Sequence, residues 1–396
     1  MFPHAKTVAL TIFLTAFSMV LTVVHAGHEV PFYPSYYPQE IRIEVVEPAR
    51  AARLLQDAAI HAYVGKDPFA EGKVPANVDY VESLGSYLVL TFNPASSVLT
   101  DKEARCATAR TLLHALAGVK EAFIFHPYPV TPYHMDYLHH FDLAASAKQR
   151  SLDEPTRGQA PPSPTLNLKA NGKLARKLVE PRWQLGETTW DVTLEEINVR
   201  DLIASHTVNV NGWLGPPWVK EGWFHAYLIL ADTLSDDTAK HTVKSISRRL
   251  QQGDYRRGEE KLNLERRLVR LLTRGCNRAV VGYTVKREYF NSDYSAGIEN
   301  IAFDSHTGFN SPIFIRTVKL KDFPWNGWLR LGIDAKPSAA WNPIAGFTDP
   351  AGQLIWFAVG DPALLPHPYS ASWVLNRIAD FRPTRTDRRH QGATTP

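Results

Sequence analysis

Cysteine is scarce in this sequence: Cys106 and Cys276 are the only two among 396 residues. No C-x-x-C pair occurs, which argues against a thioredoxin-like redox role, and no C-x-x-C-H occurs, which argues against covalently attached c-type haem. In an oxidising compartment the two cysteines are expected to form a disulfide that closes a loop of about 170 residues. The alternative is two buried free thiols, because Cys106 lies on the apolar stripe of a predicted helix.

Short catalytic motifs and excess charge are also missing. The sequence has no glycine-rich phosphate loop, no H-E-x-x-H pair and no G-x-S-x-G turn, so nothing in it names a reaction. A net charge of +4 over 396 residues provides no concentrated basic face, and nucleic acid is therefore not expected as a partner. Whether the chain is an enzyme stays open at this point.

Long hydrophobic runs are absent except at the start of the chain. Lys6 precedes an apolar run from Thr7 to Val24, and Val24-His25-Ala26 follows with small residues at the positions typical of a cleavage site. This pattern predicts a signal peptide over residues 1–26 and a periplasmic or secreted protein. A retained leader would instead make a membrane-tethered protein, because 18 apolar residues are about enough to span a bilayer. Cleavage would expose Gly27-His28, a pair able to chelate copper(II).

The first half of the mature sequence predicts an α+β unit over residues 38–143. Strands are expected where apolar and polar residues alternate or where short apolar runs occur, and helices where apolar residues recur every three to four positions. The predicted elements are a strand over 41–45, a helix opened by Pro48, strands over 60–64 and 87–92, a helix with a Thr100/Glu103 capping box, and a strand over 121–125. The order βαββαβ is that of a ferredoxin-like plait.

The second half differs in composition. Residues 144–181 are rich in proline and polar side chains and are predicted to be a linker. All ten tryptophans lie at position 183 or later, and residues 182–381 are predicted to form a larger, tryptophan-rich α+β domain. In this domain helices are expected after Pro216 and over 257–274, and strands over 312–321 and 353–359. The basic tail over 382–396 is predicted to be disordered.

A histidine-rich segment directly after the fourth predicted strand is the densest polar cluster. Imidazole is a common ligand of transition metals, and a carboxylate can complete such a site. On a helix started by Thr131 and Pro132, Asp136 and His140 would share one face. The candidate metal ligands, for copper or zinc, are His126, His134, Asp136, His139 and His140. The alternative is a surface helix rich in tyrosine and histidine with no bound metal.

The tryptophan-rich half contains two further candidate sets. Asn-Gly turns present tryptophans that are suited to stacking on a flat ligand, namely Trp213, Trp218, Trp325 and Trp328. Carboxylates and imidazoles between them are the candidate catalytic residues, namely Glu221, His225, Glu299, Asp304 and His306. No spacing singles out one acid–base pair among these residues.

Three functional hypotheses follow. The leading one is an exported soluble protein that binds a metal ion, copper or zinc, or a small ligand, as an accessory to a periplasmic redox or uptake system. The second is a periplasmic enzyme with a cleft in the tryptophan-rich domain. The third is an assembly factor with a periplasmic protein partner. A membrane is expected as a partner only if the leader is retained.

Overall fold

The structure is a computed structural model. It describes residues 38–70, 72–119, 123–153, 166–179, 183–186, 189–206, 216–322, 327–338, 347, 349–360, 363–370 and 372–380. All of them belong to one compact unit over residues 37–396. Within these ranges, no helix is both long enough and apolar enough to cross a membrane. The predicted leader and basic tail lie outside the described residues.

Strands and helices are interspersed along the described chain. The strands are β1 (Glu40–Val45), β2 (Ala62–Val64), β3 (Val78–Phe92), β4 (Ile124–Phe125), β5 (Asn167–Asn171), β6 (Gln184–Leu185), β7 (Val192–Asn198), β8 (Arg278–Asn291), β9 (Ile298–Asn300), β10 (Lys319–Leu320), β11 (Trp328–Ile333), β12 (Leu364–Pro366) and β13 (Trp373–Leu375). The helices are α1 (Pro48–Gln56), α2 (Lys102–Ala117), α3 (Phe141–Leu152), α4 (Lys173–Val179), α5 (Val199–His206), α6 (Gly222–Leu230), α7 (Asp237–Gln251), α8 (Gly258–Leu272), α9 (Pro312–Thr317) and α10 (Pro350–Val359).

A nine-stranded mixed sheet organises the fold. Its strand order is β1-β11-β2-β8-β3-β7-β5-β6, and β4 pairs with β8 outside this path. The long strands β3 and β8 are antiparallel neighbours at the centre, and β3 is antiparallel to β7 on its other side. The β1–β11, β11–β2, β5–β7 and β5–β6 pairs are parallel. The fold is therefore a mixed α/β structure with one large sheet.

Helices cover both faces of the sheet centre. Alternate residues of a strand point to opposite faces, and in β3 both sets are apolar. Tyr87 and Val89 pack in a core with α6, α7 and α8 on one face. Leu88 and Leu90 pack on the other face with α2 and α4. The continuous apolar run that predicted this strand is thus explained by burial on two faces.

A disulfide joins Cys106 on α2 to Cys276, which lies just before β8. The two Cα atoms are 5.1 Å apart, and 170 positions separate the residues in the sequence. The expected disulfide is therefore present, and the alternative of two free thiols is excluded. The bond fastens α2 to the chain that enters the central strand.

The prediction of a ferredoxin-like plait followed by a separate tryptophan-rich domain is wrong. A plait needs the first four strands in one self-contained sheet, but here strands from the second half lie between them. Strand β11 separates β1 from β2, and β8 separates β2 from β3. Periodicity identifies a strand, but it does not reveal which strand will be its neighbour.

Local elements also differ from the sequence predictions. Helix α10 covers the range 353–359, where a strand is predicted, and α9 covers most of 312–321, in which only β10 at Lys319–Leu320 is a strand. No helix begins at Thr131; instead a turn leads to a short 3₁₀ helix over Tyr137–His139, and α3 follows. Within the range predicted as a linker, α3 extends to Leu152, and β5 and α4 belong to the sheet layers.

Candidate functional site

The histidine-rich segment crosses the face of the sheet centre that α6, α7 and α8 cover. It leaves β4 beside β8, where the amide N–H of His126 donates to the carbonyl of Val281 at 3.1 Å. Tyr128 and Val130 are buried in the same core as Tyr87 and α6. The segment is therefore held between the central strands and α6, and its side chains Thr131, His134, Asp136 and His140 are buried there.

Three buried histidines from distant parts of the sequence converge at this point. His134 lies in the turn after Val130, His225 lies on α6, and His306 lies in the loop after β9. They are 4, 0 and 7% exposed. One ring nitrogen of each lies within 4.8 Å of the others, an arrangement that could hold a metal ion. These residues form the three-histidine cluster.

Ring separations in the three-histidine cluster match those around a single metal ion. The ring centroids of His134 and His225 are 4.5 Å apart, those of His134 and His306 are 5.3 Å apart, and those of His225 and His306 are 5.1 Å apart. Imidazoles bound tetrahedrally through nitrogens at about 2.0–2.1 Å place their centroids about 5 Å apart. The rings therefore stand at the spacing that such coordination requires.

Tyr87 on β3 links two of these histidines. The amide N–H of Thr131 donates to Nδ1 of His134 at 2.8 Å, so Nε2 carries the ring hydrogen and donates to the Tyr87 oxygen at 3.0 Å. On the other side, Nε2 of His225 donates to the carbonyl of Val219 at 2.9 Å, which leaves Nδ1 as an acceptor 3.1 Å from the Tyr87 hydroxyl. The Pro129 carbonyl, at 3.2 Å, is the other acceptor within reach of that hydroxyl. The tautomers follow from these contacts.

His306 differs from the other two because one of its nitrogens has no partner. Its Nδ1 is 2.9 Å from the hydroxyl oxygen of Ser305, whereas its Nε2 is buried and, among the described residues, has no hydrogen-bond partner. The loop is fixed by paired backbone hydrogen bonds between Asp304 and Gly308. Gly308 has φ +64°, and a Cβ there would lie 2.0 Å from Glu288 Oε2, so only glycine fits this turn.

Burial keeps the three imidazoles neutral near pH 7. It lowers the pKa of His225 to about 4. The pKa values of His134 and His306 fall well below 6.5, first through burial and then through the neighbouring His225. Neutral imidazole is the form that binds a metal.

Cavities adjoin the cluster on two sides. His306 and Thr307 border a cavity of about 740 Å³ whose other walls carry side chains of both charges, namely Lys66, Arg200, Lys286, Arg287, Asp67, Glu82 and Glu196. His134 borders a second cavity of about 630 Å³ that has several aromatic walls, namely Tyr80, Tyr133, Tyr137, Phe303 and Tyr369. Both volumes are in the range that accepts a small organic ligand.

A second buried cluster comprises Asp136, His140 and Glu265, with one potential ligand atom of each within 4.8 Å of the others. Asp136 accepts the backbone N–H groups of Gly222 and Trp223 at 2.6 and 3.1 Å, at the start of α6. Burial raises the pKa of Asp136 to about 7, with further contributions from Glu265 and Glu221. This is the acid–histidine cluster.

The structure distributes the five predicted metal ligands over different environments. His134 belongs to the three-histidine cluster, and Asp136 and His140 belong to the acid–histidine cluster. His139 is half-exposed, and its Nδ1 lies 2.8 Å from Glu265 Oε2. His126 belongs to neither group, because its Nε2 is bonded to the carbonyl of Val130 at 2.8 Å.

Among the predicted catalytic residues, only His225 and His306 come together, each beside the other in the three-histidine cluster. Glu221 bonds to Lys261 and to the Trp223 indole. Asp304 pairs with Lys220. Glu299 is half-exposed and pairs with Lys319 at 3.0 Å.

The predicted tryptophan platform is only partly described, since Trp213 and Trp325 lie outside the described residues. Trp218 packs against Trp223 and Phe224, with ring centroids 6.2 and 4.7 Å apart. Trp328 is 69% exposed at the start of β11. The contacts of Trp218 are those of a core side chain.

Sequence reasoning missed Tyr87, Thr131 and Ser305, the partners that orient the histidines, and Glu265. Tyr87 lies in a strand where an aromatic residue is ordinary, and Glu265 lies on a helix with many charged residues. No local pattern distinguishes them. One signal in the sequence points to buried histidines in general, namely the number of histidines that lie near apolar segments.

Comparison with known proteins gives fold-level matches only. No protein-family model matches the chain, and no curated protein sequence is similar to it. Solved structures that match include NikZ from Campylobacter jejuni in complex with Ni(L-His), with 14% identity over 66% of this chain and 58% of that one and a TM-score of 0.35. The oligopeptide-binding protein AppA from Bacillus subtilis matches at 12% identity, 69% and 58% coverage, and a TM-score of 0.37.

A third match is the periplasmic binding protein DppA from Helicobacter pylori in complex with the peptide STSA, with 9% identity, 69% and 55% coverage and a TM-score of 0.39. The chain thus spans 55–58% of the length of these three proteins. All three are ligand-binding proteins by their descriptions. Because each TM-score is below 0.5, no functional conclusion follows from these matches.

Proposed function

We propose that this protein is an exported ligand-binding protein that binds a divalent transition-metal ion through His134, His225 and His306. The observation that carries the proposal is the convergence of three buried, neutral imidazoles at coordination spacing, one of which has an unpartnered nitrogen. A buried polar nitrogen without a partner costs about 1–3 kcal/mol. A metal ion would satisfy it.

The donor set favours zinc or copper. Imidazole suits zinc, copper and nickel, and three histidines with one open position are a common zinc arrangement. Metal-bound histidines usually donate their other N–H to a fixed acceptor. Val219 already provides that acceptor for His225, and the Ser305 hydroxyl does so for His306.

Binding through Nε2 of His134 requires a hydrogen shift in that ring. The hydrogen moves to Nδ1, where the hydroxyl and carbonyl oxygens of Thr131, at 3.0 and 3.3 Å, accept it. The Thr131 amide N–H then loses its acceptor, and this loss makes the bond between His134 and the metal ion less favourable. His225 and His306 need no such shift.

A small ligand can reach His306 from the 740 Å³ cavity. Arg200 on the cavity wall donates to Gln353 at 2.5 Å. The walls carry carboxylates as well as cations, so they offer partners for a polar ligand of either charge. The volume of the cavity therefore supports a metal ion bound together with a small polar ligand.

Zinc affinity of the mature protein tests the proposal. Isothermal titration with zinc chloride is expected to show that His306→Ala and His225→Ala each weaken zinc binding more than about tenfold, because each removes a ligand. Cobalt(II) added in place of zinc is expected to give the visible absorption of a tetrahedral nitrogen site, and His306→Ala removes it.

The matched control is His126→Ala. His126 is about as buried as His306 and lies on the same segment as His134, but its Nε2 is bonded to the Val130 carbonyl outside the cluster. This variant is expected to keep the zinc affinity and the cobalt spectrum. Equal zinc binding by His306→Ala and His126→Ala contradicts the proposal.

Export rests on the leader and on the disulfide. Disulfides persist in the periplasm and outside the cell and are rare in the cytosol, so the Cys106–Cys276 bond supports the same compartment as the leader. Mass spectrometry of the protein recovered from the periplasm tests this part. A mature chain that begins at Gly27 is the expected result, and an intact chain in the cytoplasm is the opposite one.

A further inference from the structure

The acid–histidine cluster and its neighbour Glu221 bring three buried acidic side chains together. Asp136, Glu221 and Glu265 are 1, 2 and 0% exposed. Lys261 is the cation among them: it bonds to Glu221 and lies 3.1 Å from Glu265. Arg266 nearby is engaged by Asp142 through two hydrogen bonds of 2.7 and 2.6 Å. Among the described residues, three buried carboxyl groups thus face the single ammonium group of Lys261.

His140 supplies the independent observation. It is 0% exposed, and its Nδ1 is 2.9 Å from the Tyr128 hydroxyl. Its Nε2 lies 3.7 Å from Asp136 Oδ2, beyond hydrogen-bonding distance, and has no partner among the described residues. A buried imidazole nitrogen that faces carboxylates without touching them leaves room for an atom that contacts both.

From this geometry we infer that Asp136, His140 and Glu265 hold a second divalent cation. A doubly charged ion would stabilise the ionised form of these carboxyl groups and would give His140 Nε2 its missing partner. One imidazole with two carboxylates is a donor set for manganese, iron(II) or zinc. It differs from the all-imidazole set of the three-histidine cluster, and this inference does not depend on metal binding there.

The fold fixes these ligands in advance. Asp136 is held by two N–H groups at the start of α6, a position that favours a negative charge. Gly222 allows the start of α6 to pack against Val130, because a Cβ there would lie 2.4 Å from Val130 Cγ1. Glu265 is held from the other side by His139 at 2.8 Å.

Manganese(II) distinguishes the two clusters by affinity, because carboxylates bind it well and neutral imidazoles alone bind it poorly. The protein is titrated with manganese chloride while electron paramagnetic resonance measures the free ion. Wild type is expected to bind one manganese ion per chain. His140→Ala and Glu265→Gln are each expected to weaken this binding more than about tenfold.

His306→Ala and His126→Ala serve as controls, and both are expected to bind manganese like wild type. Loss of manganese in His306→Ala but not in His140→Ala would place the ion in the three-histidine cluster and overturn the inference. Absence of manganese binding by wild type would also overturn it. Zinc binding by His306→Ala is measured in parallel, so failure of one site is distinguished from failure of the other.

Folding of the variants is checked independently. Far-ultraviolet circular dichroism is recorded for each, and the thermal midpoint of His306→Ala is measured with and without manganese. A ligand that binds only the folded state raises that midpoint. A rise in His306→Ala supports the second site even if His140→Ala does not fold, and no rise at saturating manganese overturns it.

Discussion

Buried histidines in this protein have a common electrostatic property at the residue scale. Burial lowers the pKa of His61, His126, His134, His140, His225 and His306. The charged form is disfavoured where water is excluded. In the three-histidine cluster this property makes lone pairs available for a metal. At His61, which lies far along the sheet, it has a consequence for stability alone.

His61 allows that consequence to be measured. Its Nδ1 accepts the backbone N–H of Arg330 at 3.0 Å, and burial followed by the Arg330 charge lowers its pKa to about 4. The unfolded chain, with a pKa near 6.5, takes up a proton first as the pH falls, so stability is full above pH 6.5 and is lost towards pH 4. Between pH 7.5 and 5 this group costs about 2 kcal/mol.

The variant His61→Asn is expected to lack this loss, because its amide oxygen accepts the Arg330 N–H but does not titrate. Urea unfolding at pH 7.5 and pH 5 measures the free energy of unfolding of both proteins. The decrease on acidification should be about 2 kcal/mol smaller in the variant. Equal decreases would show that His61 is not responsible.

At the element scale, two helices begin where the sequence predicts strands over 312–321 and 353–359. Asp349 and Pro350 precede the second of these ranges. In the structure the Asp349 side chain accepts the N–H of Gly352 at 3.0 Å, and Pro350 is the first residue of α10. Ser311 and Pro312 begin α9 in the same way. A capping residue followed by proline favours a helix start even when the next residues are apolar throughout.

The start of α2 provides a prediction at this scale. The sequence suggested a capping box of Thr100 and Glu103, whereas in the structure the Asp101 carboxylate accepts the N–H of Ala104 at 2.6 Å. Asp101→Ala is expected to lower the free energy of unfolding by about 1 kcal/mol. Thr100→Ala is the matched control and should change it by less than about 0.5 kcal/mol. Chemical denaturation compares the two, and the reverse order would restore the sequence interpretation.

One covalent bond connects the layers at the scale of the whole molecule. The Cys106–Cys276 disulfide joins α2, on one face of the sheet, to the segment that enters β8 at its centre. Everything between the two cysteines, including His134 and His225, lies in the closed loop. The bond therefore restricts the unfolded chain strongly while leaving the clusters untouched.

Removal of this bond is expected to destabilise the protein without abolishing metal binding. The double variant Cys106→Ala/Cys276→Ala should lose about 2–5 kcal/mol of unfolding free energy, since a long loop regains its freedom. Guanidinium unfolding measures this, and reduction of wild type with dithiothreitol serves as the comparison. Unchanged stability would show that the sheet alone holds α2 in place.

The sequence by itself determined the elements with strong local signals. These are the central strand with two apolar faces, the amphipathic helices α1, α2 and α8, and the cysteine pair, because each depends on periodicity or composition within a short window. The sequence also identified His225 and His306 as candidate catalytic residues and His134 as a candidate metal ligand, but it did not indicate that the three meet.

Only the tertiary structure decided which of these residues meet. His134, His225 and His306 come from a turn, a helix and a loop that are far apart in the chain, and they converge because β3, β4 and β8 pair at the sheet centre and α6 packs over them. Strand pairing depends on long-range packing that no short window contains. The sequence therefore supplied the ligands, and the order of strands in the sheet decided their grouping into two clusters.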